Sequence, residues 1–306
     1  MVITYRVAFF VLIITVLLAS CKSRDNTKHA TDSPINGTIN ISVDESFRPV
    51  IEEEIKVYEG SYPGTKIIAH YKSESECFKD FYSDTANRMI IVTRGLNNQE
   101  NRFYKDSLGY TPATNMIAWD AITIVTNKDN TDTLFTLESL KQLLQGKAGK
   151  NKKVVFDGLN ATSTVHFAID SILHGGNFDT SVVQAVDNSK EVLNYIASNK
   201  NAIGFVGISW IGNPEDTAQV NMLKKVKMAY VQCNLCDSTP YVKPTQQGII
   251  TRRYPLVRGL YYILKENYSG LGSGFGDFLF FERGQLIFRR AYLGPRIDFG
   301  RREVSL

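Results

Sequence analysis

The sequence predicts an α/β protein with mostly parallel sheets. Three observations carry that class. Strand-like and helix-like stretches alternate along the chain. The first of them, "TINISVDE", "SFRPVIEEEIKVYEG" and "KIIAHY", compose a strand, a helix and a second strand, which is a βαβ unit. The chain has 306 residues, enough for two lobes with full cores.

The opening segment, "MVITYRVAFFVLIITVLLASC", has Arg6 and then an apolar run from Val7 to Leu18. The run is short for a membrane span and has the shape of a signal peptide covering residues 1–20. Leu18-Ala19-Ser20-Cys21 resembles the bacterial lipobox, in which the cysteine is acylated. That implies lipidation at Cys21 and a periplasmic protein held on the cell membrane or the outer membrane. "KSRDNTKHATDSPING" follows without period, so residues 21–37 read as a flexible tether.

In the first strand and helix, the apolar positions Val50, Ile51, Ile55 and Tyr58 recur at helical spacing. Ser46 is the candidate cap and Pro49 falls in the first turn. "FKDFYSD" reads as a short helix, and "RMIIVTRG" as a strand running into a loop at Thr93-Arg94-Gly95. "MIAWDAITIVTN" is a long apolar run, and "TLESLKQLLQGK" is an amphipathic helix capped by Thr136. "KKVVFDG" is a strand, and "NATSTVHF" then leads into a helix that has Val165, Ala168, Ile169 and Ile172 on one face and stops at Gly175-Gly176. Asn188 and Glu191 are spaced for a capping box, and "AIGFVGISWI" is an apolar strand ending in a turn. "LYYILK" is a late strand and "GDFLFFERGQLIFRRAYL" the last helix.

Ligands of such sheets sit at the carboxyl ends of strands. Three loops fit: Asp44 to Phe47, Thr93 to Gly95 and Asn160 to Thr164. Helix starts favour anions, and hydroxyls add donors without adding charge. Thr162, Ser163 and Thr164 place three hydroxyls before one helix, where a cap needs only one. Facing Ser46, they would cage a small oxyanion, with Arg94 as the main cation. The plainer possibility is a cap with two exposed neighbours.

Other chemistries find little support. The net charge is +4, from 35 basic and 31 acidic residues, and does not call for nucleic acid. His29, His70, His166 and His174 form no metal-binding spacing, so neither a metal nor a cofactor is expected. Cys233 and Cys236 form a CxxC, read as a local disulfide in an exported protein or as a free pair. Gly207-Ile208-Ser209-Trp210-Ile211 lacks the last glycine of a nucleophile elbow. Gly149-Lys150-Asn151 is no phosphate-binding loop of the nucleotide-hydrolase type, and "GSGFG" at 272–276 reads as a loop.

The order of these pieces resembles the phosphate-binding proteins of bacterial phosphate ABC transporters, across residues 38–295. Residues 136–147 match the family's "LTxEQLxxIFxGK", 201–210 its "GAIGYVGxSY" and 254–261 its "YPLxRPLY". The resemblance implies the type II periplasmic-binding-protein fold, two lobes with an anion in the cleft. It puts lobe 1 at 38–118 and 247–306, and lobe 2 at 119–246. It implies a monomer that is no enzyme, takes phosphate or a related oxyanion and delivers it to an ABC permease. The implied ligand residues are Ser46, Phe47, Thr93, Arg94, Thr162, Ser163 and Thr164, with Ser73 of "YKSESECF" near the cleft. Two departures stand out. Thr93 occupies the place of the family's aspartate, which accepts a proton from hydrogen phosphate, and the arginine of the central loop is missing. They leave room for a tethered anion sensor or a surface protein with a degenerate cleft. A periplasmic hydrolase is the remaining alternative.

Overall fold

The computed structural model describes residues 32–149, 151–158 and 162–297. The expected signal peptide, Cys21, Asn160 and the last nine residues lie outside the described residues. The first strand starts earlier than expected. β1 (Asn36–Asp44) begins inside the stretch read as tether, and Arg88 pairs with Asp32 just before it. Residues 41–44 of β1 are all buried, because both faces of this strand are covered.

A helical turn (Glu45–Phe47) leads into α1 (Arg48–Ser61), with Pro49 in its first turn as expected. Ser46 lies inside the preceding turn and does not cap α1. β2 (Gly64–Lys72), α2 (Glu74–Ser83), β3 (Asn87–Val92) and α3 (Asn98–Leu108) complete the first half. α3 was not expected: Tyr104 is its only buried residue, so it carries no apolar stripe.

β4 (Ala113–Asn127) is the long apolar run. After it come β5 (Leu134–Phe135), α4 (Leu137–Leu144), β6 (Lys153–Phe156) and α5 (Ser163–Phe167), which widens into a π turn over 168–172. β7 (Val183–Ala185), α6 (Ser189–Ser198), β8 (Ala202–Gly207) and a turn (Ile208–Trp210) follow. α7 (Thr217–Met222) precedes β9 (Val226–Met228), β10 (Tyr230–Gln232) and β11 (Tyr241–Val242). The chain closes with α8 (Gln246–Ile250), β12 (Val257–Leu264), α9 (Leu271–Phe280), α10 (Glu282–Arg290) and β13 (Gly294–Pro295).

Two expectations near the end need correction. The last helix is split in two at Phe281, and 272–276 lies inside α9, not in a loop. The glycines there serve close approach. A Cβ on Gly274 would lie 2.7 Å from the Pro34 backbone, and one on Gly276 3.0 Å from the Tyr262 ring.

The α/β class holds, but the sheet is mixed. Its order is β2-β1-β3-β12-β4-β8-β6-β7. The arms β2-β1-β3 and β8-β6-β7 are parallel, while β12 and β4 join them by antiparallel pairing. The register decides where a site can form. β4 pairs β12 through Ala113–Ala121 and then β8 from Ile122 onward. Gly207 at the end of β8 lies opposite Ile122, and the end of β3 points the same way along β12. Both arms therefore aim their carboxyl ends at Ala121–Ile122, in the middle of β4. A smaller sheet, β11-β10-β5, is tied off by a Cys233–Cys236 disulfide, and Cys77 is a buried free thiol.

Candidate functional site

At the end of β1, Asp44 accepts a hydrogen bond from the Ser46 backbone N–H at 3.0 Å, which fixes the turn. The turn points the Ser46 hydroxyl across the convergence. There it meets Ser163 Oγ at 3.3 Å and Thr164 Oγ1 at 3.4 Å. All three residues are buried. Ser209 donates to the Ser46 carbonyl at 3.0 Å, so the turn is held from behind as well.

Thr162 resolves the purpose of the hydroxyl run. It is the cap of α5, accepting from the Val165 N–H at 3.4 Å. The next two hydroxyls are thereby spared capping duty and face Ser46.

The cation of the site is Arg258, on β12. It donates from Nη1 to Ser163 Oγ at 2.8 Å and from Nε to Asp120 Oδ2 on β4 at 2.7 Å. Its guanidinium stands 5.0 Å over the Phe47 ring, and the residue is 5% exposed. Arg258 Nη2 and Asp120 Oδ1 are buried with no hydrogen-bond partner among the described residues. The pair is inconspicuous in the sequence because each charge sits inside an apolar strand. That was also the available signal: an arginine in "YPLVRGLYY" and an aspartate in "MIAWDAITIV" each demand an interior partner.

Acids surround the hydroxyls. Asp157, at the end of β6, accepts from Thr164 at 3.4 Å and from Ser189 at 2.9 Å. The same Ser189 hydroxyl lies 2.9 Å from Glu45 Oε2. It has one proton to give, so only one of these acids takes it at a time. Burial raises the carboxyls of Asp157 and Glu45. Burial, with the Glu74 charge, pushes Asp44 up to about 7, against the pull of Arg258. Asp44 Oδ2 makes no close hydrogen bond among the described residues, although the Ser163 hydroxyl stands near enough to draw the carboxyl down.

The other expected residues are placed as follows. Thr93 donates from its N–H (2.7 Å) and its hydroxyl (2.6 Å) to Glu74 Oε1. Glu74 Oε2 stands 3.6 Å from His166 Nδ1, two residues beyond Thr164. Burial acts to raise the Glu74 carboxyl, but the His166 and Thr93 contacts outweigh it and hold the group low. A carboxylate thus rests on Thr93, supplied by position 74. Arg94 does not reach the hydroxyls. It is paired with Glu100 at 2.8 and 2.9 Å and lies over the Phe78 ring, with its side chain 47% exposed. Ser73 caps α2 in a capping box with Glu76, and its hydroxyl donates to Glu76 Oε2 at 2.6 Å. Among the described residues no group of acids, histidines and cysteines could hold a metal ion.

Chemically, this is a compact set of hydroxyl donors, one buried guanidinium and a ring of acids. Hydroxyls and guanidinium suit the oxygens of a small oxyanion. Ionised carboxylates repel an oxyanion without a proton but accept one from an oxyanion that carries it.

The fold and this site define a class. The family model of the PBP superfamily domain matches residues 28–283, and the chain belongs to that superfamily. Among curated proteins it is similar to the phosphate-binding protein PstS of Borreliella burgdorferi, 22% identical over 296 residues, 92% of this chain and 95% of that one. Among solved structures it matches a candidate phosphate ABC transporter substrate-binding protein with bound phosphate from Clostridium perfringens. That match has a TM-score of 0.67 and 22% identity, over 85% of this chain and 99% of the other. An ABC-type phosphate transport receptor from Vibrio cholerae matches with a TM-score of 0.61 and 18% identity, over 84% and 99% of the two chains. The resemblance read from residues 38–295 and the type II fold class agree with these relatives.

Proposed function

We propose that this chain is a lipid-anchored periplasmic receptor that captures inorganic phosphate for an ABC permease. The observation that carries the reading is Arg258 reaching Ser163 beside Ser46 and Thr164, where both arms of the sheet end. Residues 38–118 with 247–306 and residues 119–246 are the two lobes, and β4 runs from one into the other. The anion is bound by Ser46, Ser163, Thr164 and Arg258, with Phe47 packed under the guanidinium. Thr162, Thr93 and Ser73 act one step back, as cap, carboxylate holder and helix cap. Arg94 is not part of this ligand set. Asp44 accepts the proton of hydrogen phosphate through Oδ2, the task for which Thr93 has no carboxylate. The protein acts as a monomer and binds without transforming its ligand. Ser209 is engaged with the Ser46 carbonyl, which speaks against a hydrolase.

One observation favours a second reading. Asp44 already accepts the Ser46 N–H, as a bound anion would, and so suits a surface protein whose cleft no longer takes a ligand. Calorimetric titration with phosphate, sulfate, molybdate and arsenate separates the two. Phosphate and arsenate binding tighter than sulfate supports capture of protonated oxyanions. No heat with any of the four supports the second reading.

A further inference from the structure

The small sheet β11-β10-β5 has one face outside. Register puts Leu134 beside Tyr230, and Gln232 beside Tyr241, on that face, while Phe135, Val231 and Val242 turn inward. Leu134 is 59% exposed, Tyr241 40% and Tyr230 37%. Just past β10, the disulfide-tied turn carries Leu235 outward at 78% exposure. These are costly residues to leave in water in such a group.

The charges along this part of the chain are mainly basic. Residues 223–253 contain six Lys and Arg residues, Lys224, Lys225, Lys227, Lys243, Arg252 and Arg253, against one acid, Asp237. Lys243 Nζ lies 4.8 Å over the Tyr230 ring. Arg252 lies 4.2 Å over the Trp119 ring, in a cavity of about 360 Å³ shared with Leu235. Neither cation forms an ion pair within the described residues. Protruding leucines, tyrosines and unpaired cations are the composition of an interfacial membrane surface.

We propose that this face docks on an anionic lipid surface, with Leu235 and the tyrosines at headgroup level and Lys243 and Arg252 on the lipid charges. The proposal does not need the acyl anchor, and the cavity that holds Arg252 and Leu235 also reaches Arg258 of the candidate site. The compact unit from Asp32 onward, which has its own core, is the protein to test. Its co-sedimentation is measured with phosphatidylcholine vesicles, with and without phosphatidylglycerol.

Binding is expected to need the anionic lipid and to vanish at about 1 M salt, where the screening length is about 3 Å. Lys243→Gln and Arg252→Gln should each lower partitioning about fivefold. Leu235→Ser should lower it as well, with the far-UV spectrum unchanged. Lys56→Gln, a control on the exposed side of α1, should have no effect. No vesicle binding overturns the proposal, as does binding that survives high salt or falls equally with Lys56→Gln. Patch variants that abolish phosphate uptake by cells but leave vesicle binding intact would assign the face to a protein partner and also overturn it.

Discussion

Arg258 has the most to lose from substitution. It is buried against Asp120, and breaking a buried pair from one side costs about 3–5 kcal/mol. Arg258→Ala should therefore lower stability by that order, measured by urea denaturation, and abolish phosphate binding. Arg94→Ala should change stability by about 1 kcal/mol, because the arginine of its pair with Glu100 is half exposed. It should leave phosphate affinity unchanged. Asp44 and His166 set a slope with pH. The Asp44 carboxyl is raised to about 7, so the stability it contributes is full in acid, below its ordinary value of 3.8. It is lost as pH rises through about 7. The His166 imidazole is raised by Glu74 above its ordinary 6.5, so its contribution is also full in acid and lost as pH rises past that raised value. Thermal denaturation of the ligand-free protein should thus show stability falling as pH rises from about 4 to about 7. In Asp44→Asn the fall should be shallower. Stability that instead rises across this range would contradict both assignments.

At the scale of elements, α5 separates capping from binding. Thr162→Ala removes a cap and should cost about 1 kcal/mol with little change in affinity. α1 carries a different strain. Glu54 is fully buried on its core face, with neither oxygen partnered among the described residues, and burial raises its carboxyl well above the ordinary range. Glu54→Leu should stabilise the protein by about 1–3 kcal/mol at pH 8, read as a shift in denaturation midpoint. A loss of stability would mean that the acid has a partner. Elements with an apolar stripe, such as α1, α4 and α6, were legible in the sequence because their period is local. α3 was not, since only Tyr104 faces inward, although Asn97 and Glu100 form its capping box. The hydroxyl run and Ser46 were legible as a pair because both follow strands. Arg258 and Asp120, 138 positions apart, were not, since strand pairing alone brings them together.

For the whole molecule, the central device is the handover on β4. Its first part pairs β12 and its last part β8, so the two parallel arms run toward its middle from opposite sides. Hydroxyls from both arms meet there, and a ligand between them would tie the halves of the sheet together. Calorimetric titration of phosphate into the wild-type protein and Thr164→Ala, side by side, tests that claim most directly. Loss of a hydrogen bond to a charged ligand is worth about 1.5–3 kcal/mol, so affinity should fall about 10- to 100-fold with the stability of the fold little changed. Equal affinities, or no phosphate binding by the wild-type protein, would contradict it.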